Sequence, residues 1–200
     1  MRRPRAVLDV GGLPTYGFGN TSPMWWGTLF FVALEASGFA LAGGAYLYTA
    51  WHGDGFPTDA PPPDVGPGSA MAALLLASVL PNLWLDRAAR REDLHRVRAG
   101  LVLLSAIGLA ACALRVLEFP ALNVRWDDSA YGSLTWLILG LHTTHLATDV
   151  MDTLVLAALM FTRHGHGQRF SDVSDNAFYW HFVVASWLVL YALLYGVPRL

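Results

Sequence analysis

The sequence contains one cysteine and no lysine among its 200 residues. The single cysteine, Cys112, excludes an internal disulfide and any zinc site built from several cysteines. Charged residues make up only 14% of the chain, whereas typical soluble domains contain about 25%. The formal net charge of −2 gives no electrostatic basis for binding nucleic acid. These deficits argue against a soluble enzyme and against a nucleic-acid partner.

Apolar residues are abundant instead, at 54% of the chain, and the mean hydropathy is +0.41. A helix that crosses a membrane needs about 20 mostly apolar residues. The sequence therefore predicts an all-α integral membrane bundle of five transmembrane helices. The membrane domain is expected to cover 24–197, after a cytoplasmic N-terminal tail at 1–23. The five predicted spans are 24–50, 69–85, 99–119, 131–161 and 177–197.

The distribution of arginines predicts the orientation of these spans. Ten of the thirteen arginines fall in the N-terminal tail and in the segments that follow spans two and four. The segments on the opposite side contain only Arg125 and Arg199. Since positive residues accumulate on the cytoplasmic side, we expect the N-terminus inside and the C-terminus outside. No serine- and arginine-rich amphipathic leader is present, so the expected location is a bacterial inner membrane, crossed several times.

Glu35 is an ionisable residue in the middle of span one. It lies eleven residues after Met24, or about 16 Å along a helix with a rise of 1.5 Å per residue. Placing a carboxyl group at this depth of the membrane costs free energy, so the group needs a hydrogen-bonding or charged partner. Two interpretations remain open, namely a proton-active or lipid-linked carboxylate and a carboxyl group that only supports packing.

Span four carries a stripe of polar side chains, and span three carries two charged residues near its end. The stripe residues are spaced 3, 4 and 3 apart, which places them on one face of a helix. Such a face should contact protein, because exposing four polar side chains to lipid would be energetically unfavourable. We expect an outer polar layer of Arg115, Glu118, His142 and His145, and an inner layer of Glu35, Asp149 and Asp152.

The sequence shows no complete catalytic or metal site. It contains no glycine-rich phosphate loop and no G-x-S-x-G nucleophile motif. Two helical histidines can bind haem, but no other span offers a histidine at the depth of His142 and His145. His181 is expected only one turn into span five, and His164 and His166 lie in a polar segment. We therefore expect no catalytic residue, metal ligand or cofactor in this chain.

The last 70 residues contain several short motifs in a fixed order. Tyr131-Gly132 opens span four and Gly140-Leu141-His142-Thr143-Thr144-His145 follows. Tyr179-Trp180-His181-Phe182-Val183 then begins span five, before Trp187. Together with Leu34-Glu35 in span one and Glu118-Phe119 at the end of span three, this series resembles subunit III of the haem–copper oxidases in its five-helix form. The resemblance covers about residues 24–197.

The resemblance implies a role within a larger complex. Subunits of this family bind no haem or copper, pack on the catalytic subunit I among other oxidase subunits, hold phospholipids and support proton uptake during oxygen reduction. Haem and copper are then expected in the partner. The alternatives are the related subunit of a quinol oxidase or a nitric oxide reductase. Two stand-alone proteins also remain open: a proton-coupled transporter built on Glu35, Asp149 and Asp152, and a small haem-binding membrane enzyme.

Overall fold

The structure is a computed structural model that describes residues 16–52 and 61–200. Within these ranges it contains five long helices and no strand, which confirms the all-α fold. The helices are α1 (Pro23–His52), α2 (Val65–Arg90), α3 (Leu94–Glu118), α4 (Ala130–Met160) and α5 (Gln168–Tyr191). A π-helical turn (Ala192–Gly196) and a 3-10 turn (Val197–Arg199) continue α5 to the end of the chain.

Short polar side chains begin three of the helices. The carboxylates of Asp64 and Asp93 accept hydrogen bonds from backbone N–H groups in the first turns of α2 and α3. The hydroxyl of Ser129 does the same for α4 at the N–H of Gly132. These caps satisfy donors that the helix itself leaves unpaired. Each cap therefore marks the point where a connecting segment ends and a helix begins.

In the part of the chain that the structure describes, four helices are long and apolar enough to cross a membrane. They are α1, α2, α3 and the continuous segment Gln168–Arg199. The fifth, α4, has 31 residues, or about 46 Å at 1.5 Å per residue, and it carries the polar stripe. The chain is thus a multi-pass membrane protein, while the orientation of its termini stays a prediction.

From α2 onwards, helices that follow one another in the sequence pack side by side. The α2 helix packs against α3 and α5, α3 packs against α4, and α4 packs against α5. The α1 helix lies at the edge of the bundle, where it contacts α4 and α5. Its outer face exposes Phe30, Leu34 and Leu41. A helix that is apolar on nearly all sides and mostly exposed is expected at a lipid boundary.

Side-chain contacts define the two ends of the bundle. At the arginine-rich end, Arg98 donates to the carbonyl of Met160 and Ser174 donates to Asp86. These bonds join the start of α3 to the end of α4, and α5 to α2. At the opposite, proline-rich end, Arg199 donates to the carbonyl of Pro63. The helices therefore run up and down between the two ends.

The helices extend beyond the apolar runs from which the spans were predicted. The largest difference is at α5, which begins at Gln168 rather than at Ala177. His181 consequently lies 13 residues into its helix, although it stays about one turn into the predicted apolar span. Part of the proline-rich loop, at 53–60, and residues 1–15 of the N-terminal tail lie outside the described residues.

Candidate functional site

A buried charged cluster joins α3, α4 and α5 in the half of the bundle nearer the proline-rich end. We call it the Arg115 cluster, and it consists of Arg115, Glu118, His142, Trp187 and Tyr195. Arg115 donates to Glu118 at 2.6 Å, with 1% and 0% of the two side chains exposed. The Arg115 guanidinium also lies 4.1 Å above the centre of the Trp187 ring. The cation is therefore enclosed by a carboxylate and an aromatic face.

The geometry assigns the tautomer of His142. Arg115 has no lone pair to offer, so its Nη2–H donates to His142 Nδ1 at 2.8 Å. The proton of the neutral ring then lies on Nε2, which donates to the carbonyl of Val183 at 3.0 Å. His142 thus connects the charged pair on α3 to the backbone of α5.

Tyr195 completes the cluster from the π-helical turn after α5. Its hydroxyl donates to Glu118 Oε1 at 2.6 Å. A Cβ atom added at Gly68 of α2 would collide with the Tyr195 ring. The absence of a side chain at Gly68 therefore creates the space that this tyrosine fills. The π turn shifts the register of the helix, so a residue outside the regular α5 repeat can reach Glu118.

A second polar group lies near the middle of α1 and is called the Glu35 cluster: Glu35, His145 and Tyr179. Tyr179 donates its hydroxyl proton to Glu35 Oε2 at 2.7 Å. His145 Nε2 lies 3.2 Å from Glu35 Oε1. His145 Nδ1 is 2.6 Å from the carbonyl of Leu141, and this carbonyl can only accept a hydrogen bond. The Nδ1 atom of His145 therefore carries a proton, which leaves Nε2 to interact with Glu35.

Asn176 of α5 links the two aspartates of the polar stripe. Its side-chain amide donates to Asp149 Oδ1 at 3.0 Å and to Asp152 Oδ2 at 3.1 Å. Thr153 donates to the carbonyl oxygen of the same amide. The second carboxylate oxygen of Asp149 is buried and has no protein partner. Only one of the two carboxylate oxygens of Asp149 therefore accepts a hydrogen bond from the protein.

A cleft of about 760 Å³ connects the Glu35 cluster to the arginine-rich end of the bundle. The first half of α1 forms one wall, α4 forms the other, and α5 lies between them. Apolar residues such as Phe31, Val155 and Leu159 line part of the cleft. Five carboxyl groups also line it, and they belong to Glu35, Asp149, Asp152, Asp172 and Asp175. The basic residues among the lining are Arg169 and His145, and Arg169 is paired with Asp172 at 2.7 Å.

The structure divides the predicted polar layers differently from the sequence interpretation. His145 was expected beside Arg115, but it contacts Glu35 instead, because it lies nearly one turn further along α4 than His142. Asp152 was expected in a buried layer, but it is exposed in the isolated chain, on the wall of the cleft. Asp149 is buried, with 3% of its surface exposed. Arg115, Glu118 and His142 form one group, as their spacing suggested.

Four functional residues were not singled out from the sequence: Asp172, Asp175, Asn176 and Tyr195. The first three precede the apolar run from which span five was predicted. Their signal is helical spacing, since Asp172, Asp175 and Tyr179 follow one another at intervals of 3 and 4 residues. No group of three or more potential metal ligands occurs in 16–52 or 61–200. The side chains of the two clusters offer hydrogen bonds and positions where a proton can bind.

The remaining motif residues mostly pack the helices. Tyr131 is buried, with its ring centre 5.8 Å from that of Tyr46. Trp180 donates its indole N–H to Ser78 at 2.8 Å. The ring of Phe182 lies 6.1 Å from that of Phe39. Of the other motif residues, Gly132 closely approaches the Arg125 backbone, Gly140 faces open space, and His181 donates to the carbonyl of Ala177.

Comparison with known proteins gives one consistent result. The model of the family described as cytochrome c oxidase subunit III matches residues 24–197. The chain is 25% identical to cytochrome c oxidase subunit 3 of Petromyzon marinus over 191 residues, which covers 88% of this chain and 72% of the relative. It is 23% identical to the subunit 3 of Thermostichus vulcanus over 176 residues, covering 86% and 87%.

Other relatives are longer than the region they share with this chain. Identity to the subunit 3 of Artemia franciscana is 29% over 123 residues, which is 62% of this chain and 48% of the relative. The alignment with the subunit 3 of Tachyglossus aculeatus aculeatus covers a similar 47% of that protein. The chain thus matches about half the length of these two relatives. The match to the family model, by contrast, includes nearly all of the five long helices.

Proposed function

Because the chain belongs to the cytochrome c oxidase subunit III family, we propose that it is an accessory subunit of a haem–copper terminal oxidase. In this proposal it docks on the catalytic subunit I and on other oxidase subunits. Haem and copper reside in the partner, where oxygen is reduced. The chain stabilises that subunit, holds phospholipid and supports proton uptake.

The observation that carries the proposal is the family match across the five-helix bundle. Two features of the bundle support an accessory role. The Arg115 cluster pairs its two opposite charges within the protein, and none of its residues lines the cleft, so it favours a structural role. The Glu35 cluster faces a cleft whose lining is partly apolar and partly acidic. Neither cluster contains an activated nucleophile of the kind that acyl or phosphoryl transfer requires.

Phospholipid binding is proposed for the apolar part of the cleft. Phe31 on α1 and Val155 on α4 are both more than half exposed in the isolated chain, and they line opposite walls. Acyl chains between these walls would cover apolar surface that the two helices leave open. Support for proton uptake is proposed for the acidic part of the same cleft, which opens at the arginine-rich end.

We place the protein in a bacterial cell membrane with its arginine-rich end towards the cytoplasm. The supporting observation is a group of five arginines at the end of α2, in its connection to α3 and at the start of α3, namely Arg87, Arg90, Arg91, Arg96 and Arg98. Positive residues favour retention on the cytoplasmic side.

Deleting the chain from its native host tests the accessory role. The remaining oxidase should keep the visible spectrum of its haem groups and its initial turnover, but lose activity faster during sustained turnover. Restoring the intact chain should restore durability. Loss of the haem spectrum after deletion would contradict an accessory role, and so would unchanged durability.

A further inference from the structure

Glu35 and His145 face each other in a way that requires one proton between them. The Nδ1–H of His145 is held by the carbonyl of Leu141. If Nε2 were unprotonated and Glu35 ionised, two acceptors would lie 3.2 Å apart, which is repulsive away from water. One additional proton, on either atom, converts this contact into a hydrogen bond. The pair is therefore a binding site for one proton.

The protein groups around this pair do not supply the proton. The third member of the cluster, Tyr179, already donates its hydroxyl to the other oxygen of Glu35. The groups facing the pair from α4 and α5 along the cleft are Asp149, Asp152, Asp172, Asp175 and Arg169. The proton must therefore arrive from water, and the question becomes from which side of the membrane.

The cleft offers a path from one end only. It runs from Gln168 and Arg169, which are exposed at the arginine-rich end, to Glu35, about 18 Å into α1 at 1.5 Å per residue. Beyond Glu35 the path closes, because Phe39 packs against His145 with ring centres 4.7 Å apart. Phe39 is itself only 7% exposed. Towards the proline-rich end, α1 and α4 meet at Tyr46 and Tyr131.

Buried carboxylates along the cleft indicate that it holds water. Both carboxylate oxygens of Asp175 and one of Asp149 are buried without a protein partner. These two residues are only 5% and 3% exposed, and both line the cleft. Polar groups buried in this way need partners, and water can supply them. The cleft volume of about 760 Å³ is many times the volume of one water molecule, about 30 Å³.

We propose that the cleft is a one-sided, water-filled half-channel through which the Glu35–His145 pair exchanges a proton with the arginine-rich side of the membrane. In the exchange, a proton from water forms one O–H or N–H bond at the pair and leaves by the same route. The acidic lining raises the local concentration of protons along the path. Acyl chains that pack on the apolar wall then cover the lateral opening of the cleft, which separates its water from the lipid of the bilayer. The half-channel is a specific way in which this chain would support proton uptake, so it rests on the proposed function.

Cysteine accessibility tests the path in the full-length chain within native membranes. Cys112→Ser provides a background without cysteine, since the chain has only one. Thr148→Cys places a thiol in the cleft, and Met151→Cys places one on the same helix at a lipid-facing position that is 62% exposed. A charged, membrane-impermeant thiol reagent should label position 148 at least about tenfold faster than 151, because reaction needs a hydrated thiolate.

The direction of labelling is the decisive part. Labelling of position 148 must occur from the arginine-rich side and be absent from the other side. Equal, slow labelling of 148 and 151 would overturn the half-channel, and so would labelling from the proline-rich side. If only an apolar reagent labels 148, lipid fills the whole cleft and the proposal is wrong. None of these results depends on whether the chain binds an oxidase.

Infrared spectroscopy tests the proton site without altering the cleft. The chain contains only three glutamates, Glu35, Glu92 and Glu118, so carbon-13 labelling of glutamate isolates three carboxyl groups. Glu35→Gln identifies the band of Glu35. In vesicles of one orientation, this band should respond to the pH on the arginine-rich side alone. A response to the opposite side, or an unchanged band when either side is titrated across the stable pH range, would refute the proposal.

Discussion

At the scale of single residues, Glu118 and Glu35 illustrate two ways of keeping a carboxyl group among apolar helices. Glu118 is fully buried and receives hydrogen bonds from Arg115 and Tyr195. Glu35 is partly exposed to a cleft and is held by Tyr179 and His145. The first arrangement fixes a charge in place, whereas the second leaves a route for water. The two glutamates should therefore respond differently to substitution.

Replacing Glu118 with alanine should loosen the bundle, because Arg115 would remain buried without its carboxylate. In soluble proteins, breaking a buried ion pair costs about 3–5 kcal/mol, whereas single polar contacts in membranes average about 0.6 kcal/mol. We expect a loss between these values, measured as the free energy of unfolding in detergent. Glu92→Gln, at an exposed position, is the matched control and should leave stability unchanged. Equal stability of the Glu118→Ala and control variants would contradict the structural role of the cluster.

Glu35→Gln should leave the initial turnover of the assembled oxidase within a few-fold of the wild type. Glutamine preserves the size of the side chain and can still accept from Tyr179. The half-channel ends at Glu35 and does not cross the membrane, so net proton transfer through this chain is not expected. Complete loss of turnover in a normally assembled complex would show that Glu35 is an essential proton carrier.

Gly68→Ala should destabilise the protein, since the added methyl group occupies the space of the Tyr195 ring. Overpacking of this kind costs about 1–3 kcal/mol. Gly44→Ala is the control, because a methyl group there meets no atom within 4 Å, and alanine favours a helix more than glycine does. Thermal unfolding in detergent should separate the two variants. A Gly68→Ala protein as stable as Gly44→Ala would argue against the packing of Tyr195 on α2.

At the scale of helices, the apolar runs predicted the number and order of the elements but not their ends. The α3 helix begins at Leu94 and α5 at Gln168, within polar sequence that a hydropathy argument assigns to loops. Capping by Asp93 extends α3. The polar start of α5 is held by Ser171, which bonds to the segment before α1, and by Ser174, which bonds to α2. Hydropathy measures the match to lipid, so it cannot locate a helix that continues into water.

The same reasoning explains what was found and missed at the site. The spacing of His142, His145, Asp149 and Asp152 predicted one face of α4, and periodicity alone suffices for that. Partners on other helices depend on helix rotation and register, which periodicity does not determine. His145 therefore contacts Glu35 rather than Arg115. Tyr195 reaches Glu118 through a π turn, which has no clear signal in the sequence.

The orientation of the helices is testable at their connecting segments. In the background without cysteine, Arg91→Cys places a thiol at an exposed position between α2 and α3, and Pro61→Cys places one at an exposed position before α2. An impermeant reagent added outside intact cells should label position 61 and leave 91 unlabelled. Since the arginines are concentrated at the end that contains Arg91, this end should face the cytoplasm. The reverse pattern would invert the proposed topology and the side to which the half-channel opens.

At the scale of the whole molecule, the bundle leaves one of its five long helices largely uncovered. The α1 helix is held at the edge by α4 and α5, and its outer face remains exposed along its length. The described residues contain no group of three metal-ligating side chains. Family membership supplies the proposed context, which is a complex with other oxidase subunits.

Purification through an affinity tag on this chain tests that context most directly. The complex should be isolated in mild detergent under conditions that keep other respiratory complexes intact, and then studied by visible spectroscopy and mass spectrometry. We predict that a haem–copper catalytic subunit is recovered with the chain, together with its haem absorption bands. Recovery of the chain alone and colourless, while the control complexes remain whole, would contradict its role as an oxidase subunit.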